Sequence, residues 1–227
     1  SKISNQYIKQ QRSLDSSAYV LFTSGSTGIP KGCLVSHASL ANYLAHCRQE
    51  YFAKIKQSSV HVFTPLTFDF TLTSYLGAIA NGLTLIIHPE EENAYDSLRE
   101  ALEDNNSFLL KITPSHIQLA EREWFFSASP KKFIVGGEAL DVGHVEKCLG
   151  GTQHVLINEY GPTEATVGCA FQYVEVNQMP FVGYPINRMG LMVLDENKEV
   201  VRRGCEGELY LFGVGLAVGY LSNDSLT

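Results

Sequence analysis

The chain has 227 residues, of which 44% are hydrophobic and 18% charged, and a formal net charge of −7. The apolar fraction is ordinary for a globular protein and too high for a disordered one. The acidic balance disfavours a nucleic-acid partner, and no apolar run approaches the roughly 20 residues of a membrane span, so we expect a soluble chain without a membrane partner.

Strands and helices are predicted to alternate through most of the chain. A polar lead-in (residues 1–17) precedes a strand at 19–22, a Gly/Ser-rich turn, and a helix capped by Ser36 that runs to Tyr51. Further strands are predicted at 60–63, 83–87, 108–113, 133–135 and 155–157, with helices around 72–79, 98–102, 117–120 and 142–149. The alternation predicts an α/β class, with a doubly wound, mostly parallel sheet that has helices on both faces.

The pattern changes after Thr166. Strands are predicted at 169–176, 191–194 and 208–212, and Gly, Pro, Asn and Asp turns join them without an intervening helix. This composition predicts an antiparallel β tail.

Cysteine and histidine usage indicates the compartment. The five cysteines are Cys33, Cys47, Cys148, Cys169 and Cys205, an odd and scattered set without a C-x-x-C pair. We expect buried thiols in a reducing cytoplasm rather than disulfides or a zinc site. The histidines show no metal-binding spacing, which disfavours a metal held by histidines.

The strongest chemical signal is a loop of small and hydroxyl residues that ends in a lysine. It reads Thr23, Ser24, Gly25, Ser26, Thr27, Gly28, Ile29, Pro30, Lys31, Gly32. Glycines let the backbone approach an anion, hydroxyls add donors and Lys31 adds a cation, which together suit a polyphosphate. The spacing is not that of a Walker loop, and a flexible Gly/Ser loop explains the composition about as well.

A polar cluster, residues 158–164, follows the last strand of the alternating region. Ligands of doubly wound sheets bind beyond the carboxyl ends of the strands. At that place Tyr160 could stack on a base, Thr163 could bond a phosphate and Glu164 could hold Mg²⁺. A simple Gly-Pro turn with a solvated charge is the alternative.

Charged residues also stand near the ends of other predicted strands. Asp69 follows the first strand of the alternating region, Lys111 lies near the end of the third, and Gly136 and Gly137 follow the fourth. Each charge alone is more often a surface group than a ligand. Because the strand ends share one edge of the sheet, we expect Asp69, Lys111 and Glu159 to converge.

Four segments, in order, resemble the motifs of the adenylate-forming enzymes. Residues 20–32 match the AMP-binding signature, 67–71 resemble the F-D-x-S region, 158–164 match N-x-Y-G-P-T-E, and 207–220 resemble G-E-L…G-L-A-R-G-Y with Val218 in place of Arg. Together they span nearly the whole chain. The chain therefore resembles an adenylation domain of a nonribosomal peptide synthetase.

The resemblance implies a fold and an extent. The chain would be part of the large N-terminal subdomain of the adenylate-forming fold. We expect a phosphate-loop segment with its helix at 1–58, a substrate-binding α/β subdomain at 59–166, and an incomplete β-rich segment at 167–227. The family's Y-R-T-G-D motif and catalytic lysine would lie beyond Thr227, so the isolated chain is expected to be inactive or very weakly active.

The resemblance also implies ATP, Mg²⁺ and a carrier-bound phosphopantetheine as cofactors. Nucleotide binding would fall to Thr23, Ser24, Gly25, Ser26, Thr27, Gly28, Lys31, Gly136, Gly137, Asn158, Tyr160, Gly161, Thr163 and Glu164. Thr163, Glu164 and Lys31 would act at the reacting phosphates, with Glu164 holding the metal.

The same resemblance implies an amino-acid pocket. It would be lined by Asp69, Phe70, Thr73, Lys111, Ile134, Gly136, Glu159, Val167 and Gly168. Asp69 would pair with the α-ammonium. A cation and an anion, Lys111 and Glu159, suit a carboxamide, so asparagine is favoured, with glutamine or aspartate as alternatives. Alternatively, Lys111 and Glu159 pair with each other and line nothing.

Two other functions stay open at this point. An acyl- or aryl-CoA ligase of the same superfamily would share the motifs, but its substrate offers Asp69 no cationic partner. A non-catalytic nucleotide-binding module is the second alternative.

Overall fold

The computed structural model of the chain describes residues 13–23, 30–55, 57–89, 93–223 and 227. The strands are β1 (Ser17–Thr23), β2 (Lys31–Ser36), β3 (Ser59–Val62), β4 (Thr84–Ile87), β5 (Leu109–Ile112), β6 (Lys132–Gly136), β7 (Val155–Tyr160), β8 (Ala170–Val174), β9 (Tyr184–Pro185), β10 (Met189–Leu194), β11 (Glu208–Gly213) and β12 (Gly219–Tyr220). The helices are α1 (His37–His46), α2 (Leu72–Ala80), α3 (Ala94–Glu103), α4 (Pro114–Leu119), α5 (Arg122–Ser127) and α6 (Val142–Leu149). Among the helices described, none is long and apolar enough to cross a membrane.

The central sheet has the strand order β5-β6-β7-β8-β9. Its first three strands are parallel, and β8 and β9 add to it in antiparallel directions. Because only a short 3₁₀ turn, Thr163–Ala165, lies between β7 and β8, the chain turns back and β8 pairs directly with its predecessor. The strand predicted from residue 169 therefore extends the central sheet.

The other strands form smaller sheets. β3 and β4 pair in parallel, separately from the central sheet in the part of the chain that is described, so the strands predicted to share one parallel sheet divide into two groups. β10 and β11 form an antiparallel pair, as the composition of the tail predicts. The α/β class and the antiparallel tail are thus confirmed.

The central sheet is buried on both faces. Alternate residues of a strand point to opposite faces, and they enter two separate apolar clusters. One cluster lies against α3–α6 and includes Leu110, Phe133 and Leu156; the other lies against α1 and α2 and includes Leu109, Ile134 and Ile157. Helices therefore cover both faces, as predicted.

The N-terminal hairpin consists of β1 and β2, with Thr23 opposite Lys31. Ser36 caps α1 by accepting a hydrogen bond from the backbone of Ser39 at 3.1 Å, as the sequence predicts. The predicted helix does not run as one α-helix to Tyr51: α1 ends at His46 and a π turn, Cys47–Tyr51, continues it. On its other edge, β2 pairs with β12, which brings the end of the chain next to the hairpin.

Candidate active site

The carboxyl ends of β5 and β7 place a lysine and a glutamate on one buried face. Lys111 follows Leu109 by two positions and Glu159 follows Ile157 by two, so both side chains point toward α1. Lys111 Nζ lies 2.5 Å from Glu159 Oε2, and the side chains are 1% and 2% exposed. The two residues predicted to converge therefore form a direct, buried ion pair.

Two tyrosines and a threonine complete this polar cluster. The hydroxyls of Tyr43 and Tyr51 donate to Glu159 Oε1 at 2.9 and 2.8 Å. Lys111 Nζ donates to the hydroxyl oxygen of Tyr43 at 3.2 Å and also to Thr73 Oγ1 and Glu159 Oε2. All three donor hydrogens of the ammonium group thus have an acceptor within the cluster.

The surroundings of Glu159 keep it ionised. Burial by itself would raise the pKa of the Glu159 carboxyl, but the charge and hydrogen bond of Lys111, with the hydroxyls of Tyr51 and Tyr43, hold that pKa below its ordinary value. The cluster therefore contains a carboxylate opposite an ammonium group.

The 3₁₀ turn Asp69–Thr71 brings a second carboxyl group to this region. Asp69 is buried, and its Oδ2 has no hydrogen-bond partner among the described residues. Burial raises the pKa of the Asp69 carboxyl, which a hydrogen bond with Thr163 and the charge of Lys111 only partly oppose. The neighbouring Phe70 ring lies 4.4 Å from Lys111 Nζ. An unsatisfied buried carboxylate oxygen is costly, and a cationic ligand group would satisfy it.

Close backbone approach explains the small residues around Glu159. A Cβ on Gly168 would lie 2.5 Å from Glu159 Cδ, and one on Gly136 would lie 2.4 Å from the Glu159 carbonyl oxygen. Thr166 and Val167 both have positive φ, 56° and 67°, which is unusual for β-branched residues. This strained turn holds the backbone against the ion pair, and such strain is typical of functional sites.

A cavity of about 500 Å³ opens beside Glu159. Residues 137–140, 158–162 and 180–182 line it. The predicted nucleotide residues Gly137, Asn158, Tyr160 and Gly161 are all part of this lining. Its size is that of a small-molecule site.

One wall of the cavity orients Asn158. Asn158 Nδ2 donates to the carbonyl oxygen of Phe181 at 2.8 Å. This orientation leaves Oδ1 as an acceptor for an amino group. The sequence did not indicate the wall formed by Pro180, Phe181 and Val182, because a Pro-Phe-Val run in a loop carries no chemical signal.

Lys31 and Glu164 are joined through a tyrosine. The hydroxyl of Tyr220 donates to Glu164 Oε1 at 2.6 Å, and Lys31 Nζ lies 5.5 Å from the centre of the Tyr220 ring. The hydrogen bond to Glu164 raises the pKa of Tyr220 to about 12. Glu164 Oε2 receives no hydrogen bond from the described residues, and a carboxylate oxygen is the kind of ligand that Mg²⁺ prefers.

The remaining predicted residues lie in different parts of the structure, and some fall outside the residues that it describes. Thr23 ends β1 opposite Lys31, while Ile134 is fully buried in the core below the ion pair. The loop residues Ser24, Gly25, Ser26, Thr27 and Gly28 lie outside the described residues. Tyr43, Tyr51 and Tyr220 were missed as site residues. Tyr43 and Tyr51 look like ordinary apolar positions of a helix, and Tyr220 ends the fourth motif without an assigned role.

Two histidines meet away from this site. His61 Nδ1 lies 2.8 Å from His88 Nε2, and His61 Nε2 lies 3.0 Å from Asp104 Oδ2. Together with Glu100, the two histidines form a group whose potential ligand atoms lie within 4.8 Å of one another. The 2.8 Å separation is that of an N–H···N hydrogen bond, so a hydrogen-bonded chain accounts for the pair.

The α/β fold, with a charged pocket and an adjoining cavity beyond the carboxyl ends of parallel strands, defines a protein that binds small ligands at the edge of its sheet. The family model described as "AMP-binding enzyme" matches residues 2–221, and the chain belongs to this family.

Curated relatives are peptide synthetases. Bacitracin synthase 3 of Bacillus licheniformis is 34% identical over 220 residues, a match that covers 94% of this chain and 3% of the relative. Syringomycin synthase SyrB1 of Pseudomonas syringae pv. syringae is 34% identical over 224 residues, covering 93% of this chain and 36% of the relative. The chain thus spans a small part of these relatives.

Solved structures agree with this assignment. A four-domain nonribosomal peptide synthetase bound to AMP and glycine superposes with a TM-score of 0.81 at 30% identity, covering 93% of this chain and 16% of that one. The Vibrio cholerae adenylation domain AlmE, in complex with glycyl-adenosine-5'-phosphate, gives a TM-score of 0.83 at 26% identity, covering 97% of this chain and 44% of that one. The resemblance to adenylation domains is confirmed.

Proposed function

We propose that this chain provides the amino-acid and nucleotide site of an adenylation domain in nonribosomal peptide synthesis. The amino-acid carboxylate would attack the α-phosphorus of ATP, giving aminoacyl-AMP and pyrophosphate. The acyl group would then pass to a phosphopantetheine thiol on a carrier domain. The family membership and the peptide synthetases among the relatives support this function.

The buried Asp69 carboxylate carries the proposal. Its Oδ2 lacks a partner among the described residues, and burial raises the pKa of its carboxyl group. The α-ammonium of an amino acid would supply both a donor and a compensating charge. A fatty or aryl acid supplies neither, so Asp69 favours amino-acid activation over a CoA-ligase function.

The chain's own residues would position the reactants. Gly137, Asn158 and Tyr160 line a cavity suited to the adenine ring, with Asn158 Oδ1 facing its amino group. Thr163 and Lys31 would contact phosphate oxygens, and Glu164 would hold Mg²⁺, which neutralises phosphate charge. Such a site accelerates the reaction by orientation and charge stabilisation, since no protein nucleophile is required.

Pyrophosphate exchange with the complete adenylation domain tests this function. We expect exchange with an amino acid, strongly reduced in Asp69→Asn, while Asp195→Asn in the exposed β10–β11 turn behaves as wild type. Exchange supported by fatty or aryl acids and not by any amino acid would contradict the proposal. Equal activity of Asp69→Asn would remove its central residue.

Asparagine is the proposed amino acid. Lys111 and Glu159 form a neutral pair, and a carboxamide can enter such a pair because it both accepts and donates hydrogen bonds. Lys111 would exchange one of its present acceptors for the amide oxygen, and Glu159 would accept from the amide nitrogen. Aspartate would set a carboxylate against Glu159, and glutamine differs by one methylene, worth about 1–3 kcal/mol.

A substrate panel tests the side-chain assignment. We expect exchange with asparagine to exceed that with glutamine and aspartate, and Glu159→Gln to change that order. If asparagine is no better than leucine or phenylalanine, Lys111 and Glu159 are a purely structural pair.

A cytoplasmic location is proposed together with this function. It is supported by the cysteines, since all five are free thiols, four of them buried and Cys205 exposed.

A further inference from the structure

Tyr43 and Tyr51 converge on the same carboxylate oxygen, Glu159 Oε1, although they are eight positions apart. Both residues are buried, with exposures of 1% and 0%. In a continuous α-helix, side chains eight positions apart point in directions that differ by about 80°, because 3.6 residues make a turn. Regular helix geometry therefore does not explain why both hydroxyls reach one atom.

The π turn supplies the missing rotation. The backbone N–H of Phe52 bonds to the carbonyl oxygen of Cys47 at 2.9 Å, five positions earlier. A π turn takes about one residue more than an α turn, so one turn of each together takes about eight residues. Tyr51 thereby returns to the face that carries Tyr43. The π turn thus places the Tyr51 hydroxyl next to Glu159, and such turns are frequent at functional sites.

From this geometry we infer that Tyr43 and Tyr51 are positioning residues that set the side-chain specificity of the pocket by orienting Glu159. They would not touch the substrate; they fix one oxygen of the carboxylate, so that the other faces Lys111. The inference rests on the proposed function for the identity of the substrate. The orientation and ionisation of Glu159 are open to a separate measurement.

Removing these donors would change the charge of the pocket. Without the two hydroxyls, the carboxylate loses two of the donors that oppose burial, so the pKa of the Glu159 carboxyl rises and it takes up a proton more readily. Lys111 then stands without a counter-charge, and the pocket favours a carboxylate side chain over a carboxamide. Besides Lys111 and the two tyrosines, the titratable groups among the described residues that interact with Glu159 are His46, Cys47, Asp69 and Cys169.

The first test is the exchange preference of the complete adenylation domain. In Tyr51→Phe, and more in Tyr43→Phe/Tyr51→Phe, we expect the aspartate-to-asparagine ratio to rise by about 10- to 100-fold, because hydrogen bonds to charged groups are strong. The rise should grow as the pH is lowered from 8 to 6. Tyr173→Phe is the matched control, since its exposed hydroxyl contacts Glu50 and not the pocket.

A further variant separates positioning from general damage to the fold. In a Glu159→Gln background, Tyr51→Phe should leave the substrate ratio unchanged, because no charge remains to be oriented. The single variant Tyr51→Phe keeps the test open if the double variant fails to fold. An unchanged ratio and pH profile in folded Tyr51→Phe would overturn the inference.

A measurement without substrate separates this inference from the proposed function. Carbon-13 NMR of glutamate-labelled protein reports the titration of Glu159, whose signal is identified by its loss in Glu159→Gln. The carboxyl should titrate at a higher pH in Tyr51→Phe than in wild type and in Tyr173→Phe. The same titration in all three proteins would refute the positioning role, whatever substrate is activated. Absence of exchange with any amino acid in wild type would instead refute the proposed function alone.

Discussion

Tyr220 donates a hydrogen bond to Glu164 across 2.6 Å, and so ties the last described strand to the turn after β7. The backbone N–H of Ala217 bonds to the carbonyl oxygen of Glu164 at 2.7 Å and strengthens this link. Lys31 lies over the ring of the same tyrosine. Tyr220 on β12 therefore holds both Lys31, proposed to contact phosphate, and Glu164, proposed to bind the metal.

Tyr220→Phe should weaken the response to Mg²⁺. The variant keeps the ring under Lys31 and removes only the hydrogen bond that orients Glu164. Loss of such an outer partner typically costs about tenfold or more in metal affinity, so the half-saturating Mg²⁺ concentration for pyrophosphate exchange should rise by about that factor. Tyr210→Phe is the matched control, because Tyr210 donates to the exposed Glu208 at 2.8 Å. An unchanged Mg²⁺ dependence would show that Tyr220 does not orient Glu164.

Gly168→Ala should destabilise the fold and disturb the pocket. The new methyl group would lie 2.5 Å from the Glu159 carboxyl carbon, which the ion pair holds in place. Overpacking of this kind costs about 1–3 kcal/mol in the free energy of unfolding, measurable by urea denaturation. Gly143→Ala in α6 is the control, since its methyl group would meet only the exposed Asp141 side chain. A stability equal to wild type would mean that the Glu159 side chain shifts to make room for the methyl group.

Helix and strand identity followed from the sequence wherever the period was clear. The strands of the central sheet have continuous apolar runs because helices cover both faces, and Ser36 marked the start of α1. The short elements β2, β9, β12 and α5 were missed. β2 contains Gly32 and begins with a lysine, while α5 is only six residues long and has no clear apolar period.

The part of the site that could be predicted consists of residues near the carboxyl ends of the parallel strands. Topology alone brings Lys111 and Glu159 together, because β5 and β7 flank β6 in parallel. The partners of Glu159 were not predictable. A tyrosine at a helical apolar position has the same pattern whether its hydroxyl is idle or bonded, and nothing in the sequence marks the π turn that rotates Tyr51 toward the pocket.

Acidification should destabilise the protein through His154. Its Nε2 lies 2.8 Å from the Phe125 carbonyl oxygen and its Nδ1 accepts from the Lys131 backbone at 3.1 Å, so the neutral ring is fully bonded. Burial lowers the pKa of His154 below 6.5, and the unfolded chain then binds more protons as the pH falls below that value. The free energy of unfolding should drop between pH 7.5 and 5.5. This drop should be smaller in His154→Gln than in wild type. In His144→Gln, whose ring is near the surface, it should be as large as in wild type. Equal drops in wild type and both variants would exclude His154 as the cause.

Lys111→Met should expose the cost of a buried unpaired charge. The variant leaves Glu159 without its counter-ion, and breaking a buried pair in this way typically costs about 3–5 kcal/mol in the free energy of unfolding. Lys111→Met/Glu159→Gln removes both charges and should be clearly more stable than the single variant.

The stability of Lys111→Met should also depend on pH in the opposite direction to that expected from His154. With Lys111 gone, burial raises the pKa of Glu159 in the folded state above its unfolded value, so the single variant should recover stability as the pH falls from 8 to 5. Urea denaturation at several pH values measures both effects, with Lys147→Met on the exposed face of α6 as the control. A single variant as stable as this control, or a double variant that is no better than the single one, would mean that the pair adds nothing to the fold.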